Sequence, residues 1–127
     1  MQTNPTKTIL IVDDSPTVRG MIRLILSNDD QNYELLEASN GLEAVKILNA
    51  ETVDLVITDI QMPEMDGFEL VKKIKQDMNP NIPIIVMTGI EQYISVFELA
   101  CLLSSNAFIM KSDIPERLLS TVNNRLR

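Results

Sequence analysis

Residues 8–25 read TILIVDDSPTVRGMIRLI. An almost unbroken apolar run, TILIV, stops at two aspartates. Beyond Ser15 and Pro16, the apolar residues Val18, Met21, Ile22 and Ile25 recur at i, i+3, i+4 and i+7, the spacing of one helix face. Proline suits the first turn of a helix, where an N–H has no partner to lose, and Ser15 suits its cap. The stretch is a strand, an acidic turn and a helix, the first half of a βαβ unit.

Working outward, the same alternation repeats. YELLEA (33–38) is a shorter, half-polar strand that suits a sheet edge. Asn40 with Glu43 three residues on has the form of a capping box and opens a helix through Ala44, Val45, Ile47 and Leu48. DLVIT (54–58) is a third strand, after which ITDIQMPEMDG (57–67) leads to a helix through Phe68, Val71 and Ile74, capped by Asp66. NPNIP (79–83) breaks that helix, and IIVMT (84–88) is the fourth strand. An apolar-rich helix is expected over residues 91–104, then AFIM (107–110) as fifth strand, and a last helix opened by Pro115 with Leu118, Val122 and Leu126 on one face. Strands alternating with helices imply a parallel sheet covered on both sides, and strands 1, 3, 4 and 5 are apolar enough to be buried on both faces. The expected architecture is α/β: a single doubly wound domain of residues 1–127, core about 7–126, with a five-stranded parallel sheet, five helices and no output domain in this chain.

Composition removes several function classes. The chain carries no histidine, which excludes Ser-His and Cys-His nucleophile pairs, His-containing zinc sites and a role as histidine phosphodonor. Its four glycines, at positions 20, 41, 67 and 89, cannot build the usual dinucleotide or NTP loops. A net charge of −7 argues against direct nucleic-acid binding. Cys101, the single cysteine, excludes an internal disulfide and reads as a small apolar residue in a reducing compartment. Without a membrane-length apolar segment or a signal-like start, the expected location is the cytoplasm.

In open parallel sheets, ligands bind outside the carboxyl ends of the strands. Strand 1 delivers Asp13 and Asp14, strand 3 Asp59, strand 4 Thr88 and strand 5 Lys111. Any one of these has an ordinary explanation as a turn, cap or solvated residue. Together they supply one corner. Carboxylates about 4 Å apart repel by roughly 1 to 4 kcal/mol per pair, so three of them call for a cation. Oxygen-only ligands select a hard ion such as Mg²⁺. A carboxylate can also attack phosphorus, and an ammonium, a hydroxyl and Mg²⁺ are suitable partners for phosphoryl oxygens. These parts point to Asp59 as phosphoacceptor.

The motifs DDSPTVR (13–19), NGLEAV (40–45) and D-x-x-M-P-x-M-D-G (59–67), with Thr88 and Lys111, resemble the CheY-like receiver domain of response regulators in two-component signalling. The resemblance implies strand order 2-1-3-4-5. It makes Asp59 the phosphoacceptor, Asp13, Asp14, Asp59 and the backbone carbonyl of Gln61 the Mg²⁺ site, and Thr88 and Lys111 the phosphoryl contacts. It puts Phe108 at an aromatic switch position, and Gln61 and Ile90 where receivers tune phosphoryl lifetime. It also implies a sensor histidine kinase or histidine phosphotransfer protein as donor, and an output partner on the surface of the fourth helix, fifth strand and fifth helix. No enzymatic activity is implied beyond assistance to its own phosphorylation and dephosphorylation.

Some residues depart from the family pattern. Ser112 stands where proline usually follows the lysine, so a trans Lys111–Ser112 bond is expected, a cis bond without proline costing about 3 to 4 kcal/mol. Ser104-Ser105 replace a small Gly-Ala pair. Apolar residues of 93–103 exceed one helix stripe, which suggests a partner or homodimer surface. Rival readings are a receiver-like module working without phosphorylation, a dehalogenase-type aspartyl phosphatase and a flavodoxin-like FMN module. Gln61 in place of a second acid speaks against the phosphatase, and Asp13-Asp14 would repel a flavin phosphate.

Overall fold

The structure is a computed structural model that describes residues 6–27, 32–89 and 107–126. In chain order the elements are β1 (Thr8–Val12), α1 (Pro16–Ser27), β2 (Glu34–Ala38), α2 (Gly41–Ala50), β3 (Leu55–Asp59), α3 (Gly67–Lys73), β4 (Ile84–Thr88), β5 (Ala107–Met110) and a C-terminal helix (Ile114–Leu126). Four α-helices thus lie among the described residues. The helix expected over 91–104 lies outside them, with Ile90, Cys101 and the Ser104-Ser105 pair.

All strand pairs are parallel, in the order β2-β1-β3-β4-β5. Alternate residues of each strand feed two cores. Leu10, Val12, Val56, Ile84 and Val86 pack with Ala44 of α2 and Leu70 and Val71 of α3. Ile9, Ile11, Leu55, Ile57, Ile85, Met87 and Ile109 pack on the other face with Ile22 and Leu26 of α1 and with Ile114, Leu118 and Val122 of the C-terminal helix. Each fully buried Ile or Leu contributes about 1.5 to 3 kcal/mol, so the continuous apolar strands are explained by two-sided cover.

One strand differs from expectation. The sequence of β5 suits a strand buried on both faces, but among its residues Ile109 alone is buried, and Phe108 is 51% exposed. The strand order makes it the second sheet edge, opposite the half-polar β2. The third strand begins one residue later than expected. Asp54 stays outside it and ties the start of β1, its Oδ2 accepting from the Thr8 N–H at 2.8 Å and its own N–H donating to the Thr8 carbonyl at 2.8 Å.

The caps follow the sequence reading. Ser15 Oγ accepts from the Val18 N–H at 3.3 Å, Asn40 Oδ1 from the Glu43 N–H at 2.8 Å, and Asp66 Oδ1 from the Glu69 N–H at 2.9 Å. The Glu43 carboxylate takes the Ser39 hydroxyl at 2.8 Å, extending the cap one residue upstream. After α3 the chain continues as a π-helical turn, Ile74–Met78, closed by the Asn79 N–H on the Ile74 carbonyl at 2.8 Å. Lys75 Nζ then donates to the carbonyls of Pro80 and Ile82 and draws in the proline-bounded loop before β4.

Two glycines have a steric reason that the sequence alone hid. A Cβ on Gly67 would lie 2.1 Å from the Asp59 carbonyl oxygen, and one on Gly41 would lie 2.5 Å from that of Met65. Backbone cannot yield as a flexible side chain does. Gly67→Ala is therefore expected to lose about 1 to 3 kcal/mol or more in urea unfolding. Gly20→Ala, in α1 with nothing within 4 Å of its added methyl, is expected to gain about 0.5 to 1 kcal/mol. Equal effects at the two positions would contradict the close approach at Gly67.

Candidate functional site

Register brings the strand ends together. Val12 pairs with Thr58, so Asp13 and Asp59 occupy the next positions on adjacent strands. Asp59 pairs with Met87, which sets Thr88 one position further along β4; Thr88 pairs with Met110, and Lys111 follows. A carboxylate oxygen from each of Asp13, Asp14 and Asp59 lies within 4.8 Å of the others, with Asp13 and Asp59 buried and Asp14 exposed.

Asp59, Asp13, Thr88 and Lys111 have defined partners. Asp59 Oδ1 accepts from the Ile60 N–H at 2.8 Å and Oδ2 from Lys111 Nζ at 3.0 Å. Asp13 Oδ1 accepts from the Ser15 N–H at 2.8 Å. Asp13 Oδ2 is buried without a hydrogen bond and forms an ion pair with Lys111 Nζ at 3.4 Å. The Thr88 hydroxyl, nearly buried, donates to the neighbouring Gly89 carbonyl at 3.3 Å. Gln61 is exposed just past Asp59, while Met62 is in the core and Met65 packs against it. All described peptide bonds are trans, Lys111–Ser112 included, and a 3₁₀ turn, Lys111–Asp113, forms there.

The loop behind Asp59 is held at both ends. The Gly67 N–H donates to the Ile60 carbonyl at 2.7 Å, and the Gly41 N–H to the Met65 carbonyl at 3.0 Å. Glu64, inside the loop, adopts a left-handed φ of 68°. Asp66 serves as cap to α3 and lies outside the acidic cluster, as expected.

Three negative charges against one ammonium leave the corner electronegative. With oxygens within 4.8 Å of one another the carboxylates repel, the buried Asp13–Asp59 pair more than the pairs with exposed Asp14, which water screens. Burial pushes the Asp59 carboxyl above its ordinary value; the Lys111 hydrogen bond opposes the rise and the Asp13 charge adds to it. Burial works against the Lys111 ammonium too, but the carboxylates of Asp59 and Asp13 outweigh it and hold the pKa above the ordinary value. The lysine stays charged throughout the neutral range. Such a corner can receive a hard cation on oxygen ligands and an electrophilic, anionic group at Asp59.

The sequence missed two members. Arg19 of α1 donates from Nη1 to the Asp13 carbonyl at 2.6 Å and from Nε to Glu37 Oε1 on β2 at 2.9 Å. Arg19 and Arg23, one helical turn apart and beside a half-polar strand, were the available signal.

The sequence matches the response regulator receiver domain family over residues 9–123, and the chain belongs to that family, in two-component signalling. The sensor kinase/phosphatase LuxN of Vibrio harveyi is 38% identical over 86 residues, covering 68% of this chain and 10% of that protein. The transcriptional regulatory protein YdfI of Bacillus subtilis is 32% identical over 119 residues, covering 94% of this chain and 54% of that protein. The chain thus spans between a tenth and about half of the length of these relatives. Among solved structures, a CheY-like receiver domain from Methanospirillum hungatei superimposes with a TM-score of 0.84 at 31% identity, covering 96% of this chain and 94% of that one. A response regulator from Chloroflexus aurantiacus gives 0.84 at 29% identity, covering 96% and 98%. Relatives include both sensor kinases and transcriptional regulators, and no helix among the described residues is long and apolar enough to cross a membrane.

The raised Asp59 pKa has a thermodynamic consequence. Folding disfavours the ionised carboxylate, so the penalty is absent at pH below the ordinary 3.8 and grows as pH rises through the raised folded value. Without divalent metal, Asp59→Asn is expected to melt at a higher temperature than wild type at pH 7, and the gain should shrink as pH falls towards 4. A lower melting temperature at pH 7, or a difference that ignores pH, would contradict the assigned electrostatics.

Proposed function

We propose that this receiver domain is a phosphorylation-controlled switch in which Asp59 accepts a phosphoryl group, in a Mg²⁺-dependent reaction, from a phosphohistidine of a sensor kinase or phosphotransfer protein. The observation that carries this reading is the buried Asp59 carboxylate, 3.0 Å from the Lys111 ammonium and grouped with Asp13 and Asp14. Asp13 Oδ2, buried without a hydrogen bond, and the all-oxygen donor set fit a hard cation. Asp13, Asp14, Asp59 and the Gln61 carbonyl would hold it, and when bound it supplies neutralisation of phosphoryl-oxygen charge.

The chain's own residues do the rest. A lone pair of the Asp59 carboxylate forms the bond to phosphorus as the P–N bond of phosphohistidine breaks. The bonding electrons leave with the imidazole nitrogen, which takes a proton from solvent, and an acyl phosphate remains. The Lys111 ammonium meets one phosphoryl oxygen. The Thr88 hydroxyl, which donates to the Gly89 carbonyl at 3.3 Å, turns to donate to another. Phe108, half exposed on the edge strand β5, repacks in response and alters a partner surface made by residues 91–104, β5 and the C-terminal helix. That surface would serve an output protein or a second copy of the chain. Gln61 and Ile90 set the lifetime of the acyl phosphate by admitting or excluding water. An amide at Gln61 cannot hand over a proton as a phosphatase's second acid does, which favours a switch over an enzyme.

With Mg²⁺ and acetyl phosphate, intact mass is expected to show one added phosphoryl group on wild type and none on Asp59→Asn. Lys111→Ala should slow the reaction on the order of 10²-fold, as loss of one charge-stabilising donor does, and EDTA should stop it. Modification that persists in Asp59→Asn would overturn the assignment.

A further inference from the structure

β2 is the one strand that sends no residue into the acidic corner from its carboxyl end, yet its side chains are tied to that corner. The Asp13 backbone is held twice from this side: its N–H donates to the Ala38 carbonyl at 3.1 Å, and its carbonyl accepts from Arg19 Nη1 at 2.6 Å. Arg19 is itself clamped, its Nε on Glu37 Oε1 at 2.9 Å, with 17% of its side chain exposed. Arg23 holds the other oxygen, Glu37 Oε2, at 2.9 Å and the Leu35 carbonyl at 3.2 Å, and does not touch Asp13. With Asp13 Oδ1 engaged by the Ser15 N–H, the remaining freedom of Asp13 is the direction of Oδ2, the buried oxygen without a hydrogen bond.

We infer that Arg19, clamped by Glu37, is a positioning residue for the divalent-cation site: by anchoring the Asp13 carbonyl it keeps the Asp13 carboxylate turned towards Asp14 and Asp59. This rests on the cation-dependent reading of the corner given above. A planar guanidinium can serve the Asp13 carbonyl and Glu37 from two N–H groups at a fixed angle, whereas a lysine ammonium is a point donor on a flexible stem. Burial alone would raise the Glu37 carboxyl, but the two guanidiniums bring it below the ordinary value, so the clamp stays charged at neutral pH. β2 thereby contributes scaffolding to a site whose ligands come from its neighbours. Outer partners of metal ligands typically tune affinity ~10- to 100-fold.

The test uses Mn²⁺ as probe, titrated calorimetrically into the full chain as wild type, Asp13→Asn, Arg19→Lys and Arg23→Ala, with the Ser15 amide followed by NMR before metal is added. Arg19→Lys keeps the charge and removes the fork. Arg23→Ala removes a comparable ion pair to the same Glu37 and leaves Asp13 untouched. Binding is expected in wild type and lost in Asp13→Asn. Arg19→Lys should bind ~10- to 100-fold more weakly with a displaced Ser15 amide, and Arg23→Ala should match wild type in both. Wild-type affinity in Arg19→Lys, or equal weakening in Arg23→Ala, would overturn the positioning role while the cation site stands. Absence of binding in wild type, or unchanged binding in Asp13→Asn, would overturn the cation site and the inference with it.

Discussion

Two carboxylates, Asp13 and Asp59, are buried side by side at the ends of adjacent parallel strands, and one ammonium reaches both. Left alone this is an unfavourable arrangement, because desolvation and mutual repulsion both oppose ionised Asp59. It persists because the sheet beneath it is overdetermined. β1, β3 and β4 are buried on every residue and covered on both faces, so apolar burial sets the register, and register sets the strand ends. A one-residue slip of β3 would turn its apolar residues to the wrong core and take Asp59 out of line with Asp13. The cost of the corner is local; the force that imposes it is spread over the whole sheet.

Around the corner, backbone geometry does what side chains cannot. The β3–α3 loop returns so closely that Gly67 sits against the Asp59 carbonyl, and its far end hydrogen-bonds the first residue of α2. The loop is consequently a strap between two helix N-termini, each capped by a polar side chain, Asn40 or Asp66, immediately before its glycine. Asn-Gly and Asp-Gly pairs usually signal tight turns. Here the first residue caps a helix and the second allows contact between main chains.

How far the sequence could be read follows from these features. The strand ends were legible because a charge after a long apolar run is informative wherever it occurs, and because four such ends in a parallel sheet have to meet. Caps were legible because they are local: Asn40 with Glu43, and Asp66 before Gly67, act within one helical turn. The exposure of β5 was not, since AFIM by itself reads like a central strand, although the order 2-1-3-4-5 implied by the resemblance already sets it at an edge. Nor was the Arg19–Glu37 clamp, formed between residues 18 apart and addressed to a carbonyl rather than a side chain. The roles of Gly41 and Gly67 depended on where distant backbone would pass. Local chemistry, periodicity and the meeting of the strand ends were visible; the other contacts made across elements were not.

The pair of hydrogen bonds between Thr8 and Asp54 fixes where the sheet begins. Since every strand runs the same way, that beginning is the pole of the molecule opposite the carboxylates. The C-terminal helix has 13 residues, about 19 Å long, and returns along the sheet from β5 to the same pole. Both the entry to β1 and the end at Leu126 therefore face away from the reactive corner. Polypeptide joined at either end would leave the acidic corner uncovered. The geometry suits a cassette carried within longer proteins, as in relatives where the matched region is a tenth to about half of the length.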